Sequence, residues 1–300
     1  MSAHALLRPA IERFVRHRLA MGSAAMLGLV ALAAAAAPLV EHALGASAAA
    51  VDLFDRFAPA SPAHPLGTDE LGRDVLVRLL YGGRVSLFVG LTAALAAACA
   101  GTVVGLVAGY LGGRIDALLM RITDSVIALP LLPLLIVLAA IDLEKLGFSP
   151  HAAASENASL YRIVVIVALA GWTTVARLVR ASALALRRRP FVLAAQAQGA
   201  GPARIMMVHV LPNLATPIIV ATTLAAGQII LLESVLSFLG LGIQPPIPSW
   251  GNLLTNAQEL IWSSPALAFY PGIMIFATVI AFNFLGDGLQ EALDPRAQRR

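Results

Sequence analysis

Apolar residues in this chain come in long unbroken runs, unlike the alternation of a half-buried strand or the single stripe of a surface helix. Six runs approach the ~20 residues that, at 1.5 Å per residue, cover a hydrocarbon core of ~30 Å. They span residues 19–40, 85–109, 118–141, 161–179, 214–236 and 267–285. The pattern predicts an all-α membrane protein with six transmembrane helices. Pro130 and Pro133 interrupt the third run and predict a kink or break there. In the second run Gly101, Gly105 and Gly109 recur at four-residue spacing, which predicts a face where another helix packs closely.

The first run follows Arg8, Arg13, Arg16 and Arg18 and leads to LGASAAA, the outline of a cleaved secretory signal. Its apolar stretch exceeds the roughly 7–15 residues of a signal core, which favours an uncleaved anchor.

Basic residues orient the spans. With the N-terminus inside, the inner pieces hold Arg8, Arg13, Arg16, Arg18, Arg114, Arg121, Arg177, Arg180, Arg187, Arg188, Arg189, Arg204, Arg296, Arg299 and Arg300, fifteen of the 21 basic residues. The outer pieces hold Arg56, Arg73, Arg78, Arg84, Lys145 and Arg162. The positive-inside rule therefore puts both termini in the cytoplasm. The expected organisation is a cytoplasmic segment 1–18, a first transmembrane helix 19–40 and an extracytoplasmic segment 41–84. A core, 85–290, then carries five transmembrane helices and a cytoplasmic loop at 187–212, and a cytoplasmic tail covers 291–300.

Composition narrows the chemistry. The chain is 59% hydrophobic and 13% charged, where a soluble domain is about a quarter charged. A formal charge of +4, spread over short pieces between spans, reads as topology and implies no nucleic-acid partner. Lys145 is the sole lysine and follows no glycine-rich loop, so the chain has no Walker A motif. If the chain does active transport, it cannot hydrolyse nucleotide through a P-loop of its own. Cys99 stands alone, and the six histidines, at 4, 17, 42, 64, 151 and 209, form no ligand set. Neither a metal nor a directly bound cofactor is expected. No Gly-x-Ser-x-Gly or His-Glu-x-x-His occurs, which argues against an intramembrane protease. A secondary transporter ranks second, because spans one, two, four and six lack a central acid for ion coupling.

One loop has structure of its own. In PFVLAAQAQGAGPARIMMVHVLPN, Pro190 follows Arg187, Arg188 and Arg189 and suits a first helical turn. Phe191, Ala194, Ala195 and Gln198 share one shallow face, and Gly199 can end the helix in the left-handed conformation. Pro202 opens a second helix carrying Arg204 and His209, expected to stop near Pro212. The result is a helix–turn–helix with small residues where a partner would press; an ordinary connecting loop is the alternative.

Charged groups elsewhere read as follows. Asp69, Glu70, Arg73 and Asp74 lack calcium-loop spacing and predict a salt-bridged turn. Asp116, Arg121 and Asp124 at the inner end of the third span predict ion pairing at the membrane surface, and Asp287 closes the sixth. Gln228 and Glu233 are candidates for the translocation path, with a buried hydrogen-bond role as the alternative for Glu233.

The loop resembles the cytoplasmic EAA loop of ABC-importer permeases: Glu-Ala-Ala, three residues, Gly, then a spacer ending in Leu-Pro. Ala194, Ala195, Gly199, Leu211 and Pro212 are in register, and Leu193 stands where the pattern has glutamate. Four longer segments, HPLGTDELGRDVLVRLLYGGRVSLFVG (64–90), AGYLGGRIDALLMRITDSVIALP (108–130), LSFLGLGIQPPIPSWGNLL (236–254) and AFNFLGDGLQEALDPR (281–296), resemble the C-type permease subunit of dipeptide, oligopeptide and nickel importers. The resemblance implies a type I ABC-importer permease fold, multi-pass in a bacterial inner membrane among its lipids. It also implies a second homologous permease, two cytoplasmic ABC ATPases that use the ATP, and an extracytoplasmic solute-binding protein. Phe191, Leu193, Ala194, Ala195, Gln198, Gly199, Ala200, Arg204, His209, Leu211 and Pro212 would form the coupling loop seated in the ATPase. Peptides moved by alternating access are the expected cargo; nickel or another small solute is the alternative.

Overall fold

The computed structural model describes residues 11–141, 144–147, 149–153, 155, 157–255 and 257–293. Arg8, Arg296, Arg299 and Arg300, and most of the expected tail 291–300, lie outside the described residues. Among the described residues, nine helices of eight or more residues carry the architecture: α1 (Arg18–Ala35), α2 (Ala37–Leu44), α3 (Val75–Leu111), α4 (Gly113–Ala128), α5 (Leu131–Ala140), α6 (Ala158–Arg187), α7 (Pro190–Ala197), α8 (Ala215–Phe238) and α9 (Ala266–Leu293). Among the described residues there is no sheet, and a lone bridge joins Thr68 to Asp74. Among the described residues, five helical runs are long and apolar enough to cross a membrane, and a sixth crossing results if the α4–α5 pair is one broken span.

The expected break in the third run is sharp. α4 and α5 meet at 88°. Leu129, the residue before Pro130, is extended at ψ 136°, because the proline ring disfavours helical backbone at the preceding position. A second interruption was not legible as one: Ala36 separates α1 from α2, whose first turn holds Pro38. The expected first span, 19–40, is therefore two helices.

Most helices outrun their apolar runs. α3 starts at Val75, where Asp74 caps it by accepting the Val77 N–H at 2.8 Å. The polar first turns of α3 are covered by the segment that precedes it. Arg78 is buried, donates to the Ala48 carbonyl at 3.1 Å and lies 3.4 Å from Asp69. Asp69 also pairs with Arg73 at 2.7 Å and accepts the Leu71 and Arg73 N–H groups at 2.9 and 3.0 Å. GTDELGRD is thus a salt-bridged turn. Among the described residues no cluster of His, Cys, Asp and Glu is placed to hold a metal.

The glycine repeat in α3 meets α6. A Cβ at Gly101 would lie 2.5 Å from the Trp172 carbonyl oxygen, and one at Gly109 would lie 2.6 Å from that of Arg180. Gly105 sits likewise against Ala176 and Val179. Backbones this close are possible because the facing positions lack side chains. At the inner end α4 is tied to α6: Arg180 grips both oxygens of Asp116, and Arg177 reaches Asp124 at 2.5 Å. α1 runs along α9, with Ala20 filling the space over Gly288 and His17 3.3 Å from Glu291.

Candidate functional site: an open dish on the loop and an enclosed carboxylate

Pro190 occupies the first turn of α7, where its missing N–H costs no hydrogen bond. The helix ends in a Schellman turn. Gly199 is at φ +82°, its N–H donates to Gln196 O at 2.9 Å, and the Ala200 N–H donates to Ala195 O at 3.0 Å. Pro202 then opens a helical segment as expected, but that segment does not stop near Pro212. It widens into a π-helical turn over Ile205–Val210, tightens to a 3-10 turn over Leu211–Leu214 and continues as α8. A proline inside a helix removes one N–H and crowds the carbonyl four residues back. The wide turn absorbs this: the Leu211 N–H donates to Met206 O, and Asn213 Nδ2 donates to His209 O at 2.7 Å. The loop and the fifth span are one helical run, Pro202–Phe238.

An open dish lies on this loop, lined by Phe191, Ala194, Ala195, Gln198, Gly199, Ala200, Gly201, Arg204 and His209. The structure so brings together eight of the residues singled out in the sequence. Ala195 lines the dish and is also a core residue. It is 8% exposed and joins Val192 in a cluster with Leu106, Tyr110, Val179, Ile205, Val210 and Leu214 of the same chain. Ala195 therefore anchors α7 to its own body, while Phe191, Ala194 and Gln198 are exposed. Leu193 faces elsewhere, beside Leu184, Arg187, Arg188 and Gln196. Leu211 is half-buried and Pro212 exposed. Sequence reasoning missed Val192, Gln196 and Tyr110. Gln196 donates to the Tyr110 hydroxyl at 3.2 Å, tying α7 to the inner end of α3. The i, i+3 and i, i+4 spacing of Val192 with Ala195 and Gln196 was the available signal.

The two path candidates on α8 separate. Gln228 is exposed and Glu233 is fully enclosed. Five residues apart at 100° each, they stand about 140° apart around the helix. The Glu233 carboxylate accepts from the Ser237 hydroxyl at 2.8 Å and the Ser86 hydroxyl at 3.2 Å. In this structure Glu233 is a buried hydrogen-bond hub, the alternative role read from the sequence, and Gln228 is exposed.

The sequence matches the family described as "Binding-protein-dependent transport system inner membrane component" over residues 101–299. It is 34% identical over 294 residues to the oligopeptide transport system permease protein OppC of Bacillus subtilis, covering 98% of this chain and 91% of that one. It is 38% identical over 302 residues to OppC of Salmonella typhimurium, covering 99% and 93%. The dipeptide transport system permease protein DppC of Alkalihalophilus pseudofirmus is 38% identical over 289 residues, covering 96% and 90%. A chain of the inward-facing MetNI methionine ABC transporter superposes with a TM-score of 0.57 at 16% identity, covering 72% of this chain and 96% of that one. That likeness gives the fold, that of an ABC-importer permease, and the helices, loop and dish are arranged on it. The chain belongs to the family of binding-protein-dependent transport system inner membrane components.

Proposed function

We propose that this chain is the transmembrane permease subunit of an ATP-driven importer that moves peptides across a bacterial inner membrane. It works with a second homologous permease, two cytoplasmic ATPases and an extracytoplasmic solute-binding protein. The observation that carries the reading is similarity along nearly the whole chain to relatives named for oligopeptide transport. The dish around Phe191, Ala194 and Gln198 is the surface on which an ATPase would press. α7 is held to α3 through Tyr110 and to the inner apolar cluster through Val192 and Ala195. Arg180 and Arg177 bind α4 to the same α6 that fills the glycine face of α3. A push on the dish therefore moves the inner ends of these helices together, as rigid bodies, and alternates access to the path between the two permeases. Gln228 lines that path.

Uptake of radiolabelled di- and oligopeptides by a strain deleted for this chain, with and without complementation, tests the reading. Loss of peptide uptake restored by the wild-type chain is the expected result. Undiminished peptide uptake in the deletion strain together with lost nickel uptake would overturn the peptide assignment and leave a metal importer.

A further inference from the structure

The outer end of α8 takes no part in the coupling just described, yet it holds an enclosed carboxylate, on Glu233. Each carboxylate oxygen ends a two-step relay that begins on a backbone N–H of the loop after α8. The Trp250 N–H donates to Ser86 Oγ at 3.2 Å, and the Ser86 hydroxyl donates to Glu233 Oε2 at 3.2 Å. The Ile243 N–H donates to Ser237 Oγ at 3.1 Å, and the Ser237 hydroxyl donates to Glu233 Oε1 at 2.8 Å. Every hydrogen in both relays points toward the carboxylate, which suits a group that accepts and does not donate. A carboxylate removed from water requires such donors.

The same loop is wedged into the helices by shape. Trp250 is fully buried and its indole N–H donates to Leu79 O at 3.0 Å. A Cβ at Gly82 or Gly83 would lie 3.2 or 3.1 Å from Trp250 atoms. Gly242 and Gly251 press as closely on α8: a Cβ on either would lie 2.6 Å from the Cα of Ser237 or Ser234. α8 itself is the far end of the 37-residue run from Pro202, about 55 Å at 1.5 Å per residue. One end of that run borders the cytoplasmic dish and the other carries Glu233.

We propose that Glu233 is a positioning residue of the transport cycle. Through Ser86 and Ser237 it clamps the outer loop 239–255 onto α3 and α8, so that the loop moves with the helical run whose inner end lines the dish. The state of the outer surface, where the binding protein docks, is thereby linked to the ATPases. This rests on the importer reading above, and it names the residue that joins the two faces.

The test uses the complete importer reconstituted in lipid nanodiscs with its peptide-loaded binding protein. Glu233→Gln keeps the size of the side chain but sets an amide donor against serine donors. The expected result is normal assembly and basal ATP hydrolysis, with the stimulation by binding protein reduced about tenfold. Hydrogen exchange at the Ile243 and Trp250 amides should rise about tenfold in the same variant. Ser237→Ala, which removes one relay and leaves the carboxylate, should fall between Glu233→Gln and wild type on both readouts. Wild-type stimulation in Glu233→Gln overturns the clamp, whether or not exchange has risen. Should Glu233→Gln fail to assemble, Ser86→Ala and Ser237→Ala decide: full stimulation in both overturns it. A wild-type complex that no binding protein stimulates would instead fault the importer reading, so the two failures are distinguishable.

Discussion

Gln196 on α7 and Tyr110 on α3 are joined by a 3.2 Å hydrogen bond across 86 positions of sequence. The loop helix is thus pinned to a spanning helix at the point where the dish begins. Tyr110 is buried, whereas Gln196 is exposed and can turn to water. Losing the bond through Tyr110→Phe should therefore cost about 0.5–1.5 kcal/mol, with no added penalty for a stranded donor, whereas Gln196→Ala also strands the hydroxyl of buried Tyr110. Tyr110→Phe and Gln196→Ala should each weaken ATPase retention while leaving the permease at normal level in the membrane. The double variant should be no worse than either single one, a non-additivity that a double-mutant cycle on ATPase affinity measures.

Gly105→Ala should destabilise the fold. The added methyl would meet the Ala176 backbone and lie 2.8 Å from Val179 Cβ, and α6 cannot retreat without also losing its contacts at Gly101 and Gly109. Overpacking of this kind costs about 1–3 kcal/mol. Gly28→Ala is the control, since nothing lies within 4 Å of its Cβ position. Thermal unfolding of the two purified variants should separate them by several degrees, Gly105→Ala melting lower.

Ala194 and Ala195 are neighbours with opposite surroundings. Ala194 is exposed on the dish and Ala195 is buried among the chain's own helices. Ala194→Arg should leave a folded permease that no longer holds its ATPases or supports uptake. Ala195→Arg should instead lower the amount of folded permease, because it places an unpaired charge in an apolar cluster at a cost of several kcal/mol. Membrane level by immunoblot, read beside ATPase co-purification, distinguishes the two lesions.

Leu193→Glu brings a carboxylate beside Arg187 and Arg188. An exposed pair of this kind contributes about 0–1 kcal/mol. Permease level should stay normal and ATPase retention should hold or rise; a fall in retention would show that this position contacts the partner through its apolar surface.

The Tyr81 hydroxyl donates to Glu41 at 2.5 Å and holds that carboxyl below its ordinary value of 4.5, with the Ala48 N–H assisting. A carboxyl whose folded-state value is depressed stabilises the fold above its unfolded value, and that stability disappears as pH falls through the folded value. Wild type should lose stability on acidification below the ordinary glutamate value of about 4.5. Glu41→Gln should show less of that loss in melts compared between neutral and acid pH.

The sequence predicted well wherever the deciding physics is local. Run length against bilayer thickness located the spans, Pro190 and Gly199 bounded α7, and Pro130 marked the break before α5. Each depends on one residue's own backbone chemistry or on summed apolarity over a window. The continuation through Pro212 was not legible, because whether a proline ends a helix or is absorbed by a π turn depends on other partners for the freed carbonyls. Here Asn213 and the Leu211 N–H provide the accommodation.

Which face of α7 turns inward was beyond the sequence for a similar reason. Alanines are nearly neutral in pattern, so Ala194 and Ala195 look alike until Val192 and the cluster around Tyr110 show which side is occupied. The small-residue face of α3 was legible, but its partner, α6, was not, since a glycine repeat specifies close approach without specifying what approaches. Glu233 shows the limit most clearly. Its charge in a span marked it as exceptional, but the chain alone holds Ser86 147 positions away and Trp250 in a later loop. By itself the sequence determined which runs are long and apolar enough to cross a membrane and where Pro130, Pro190 and Gly199 break or bound a helix, through forces that act within a few residues. The tertiary structure decided what is buried and what is exposed, because burial belongs to the neighbours that folding brings together.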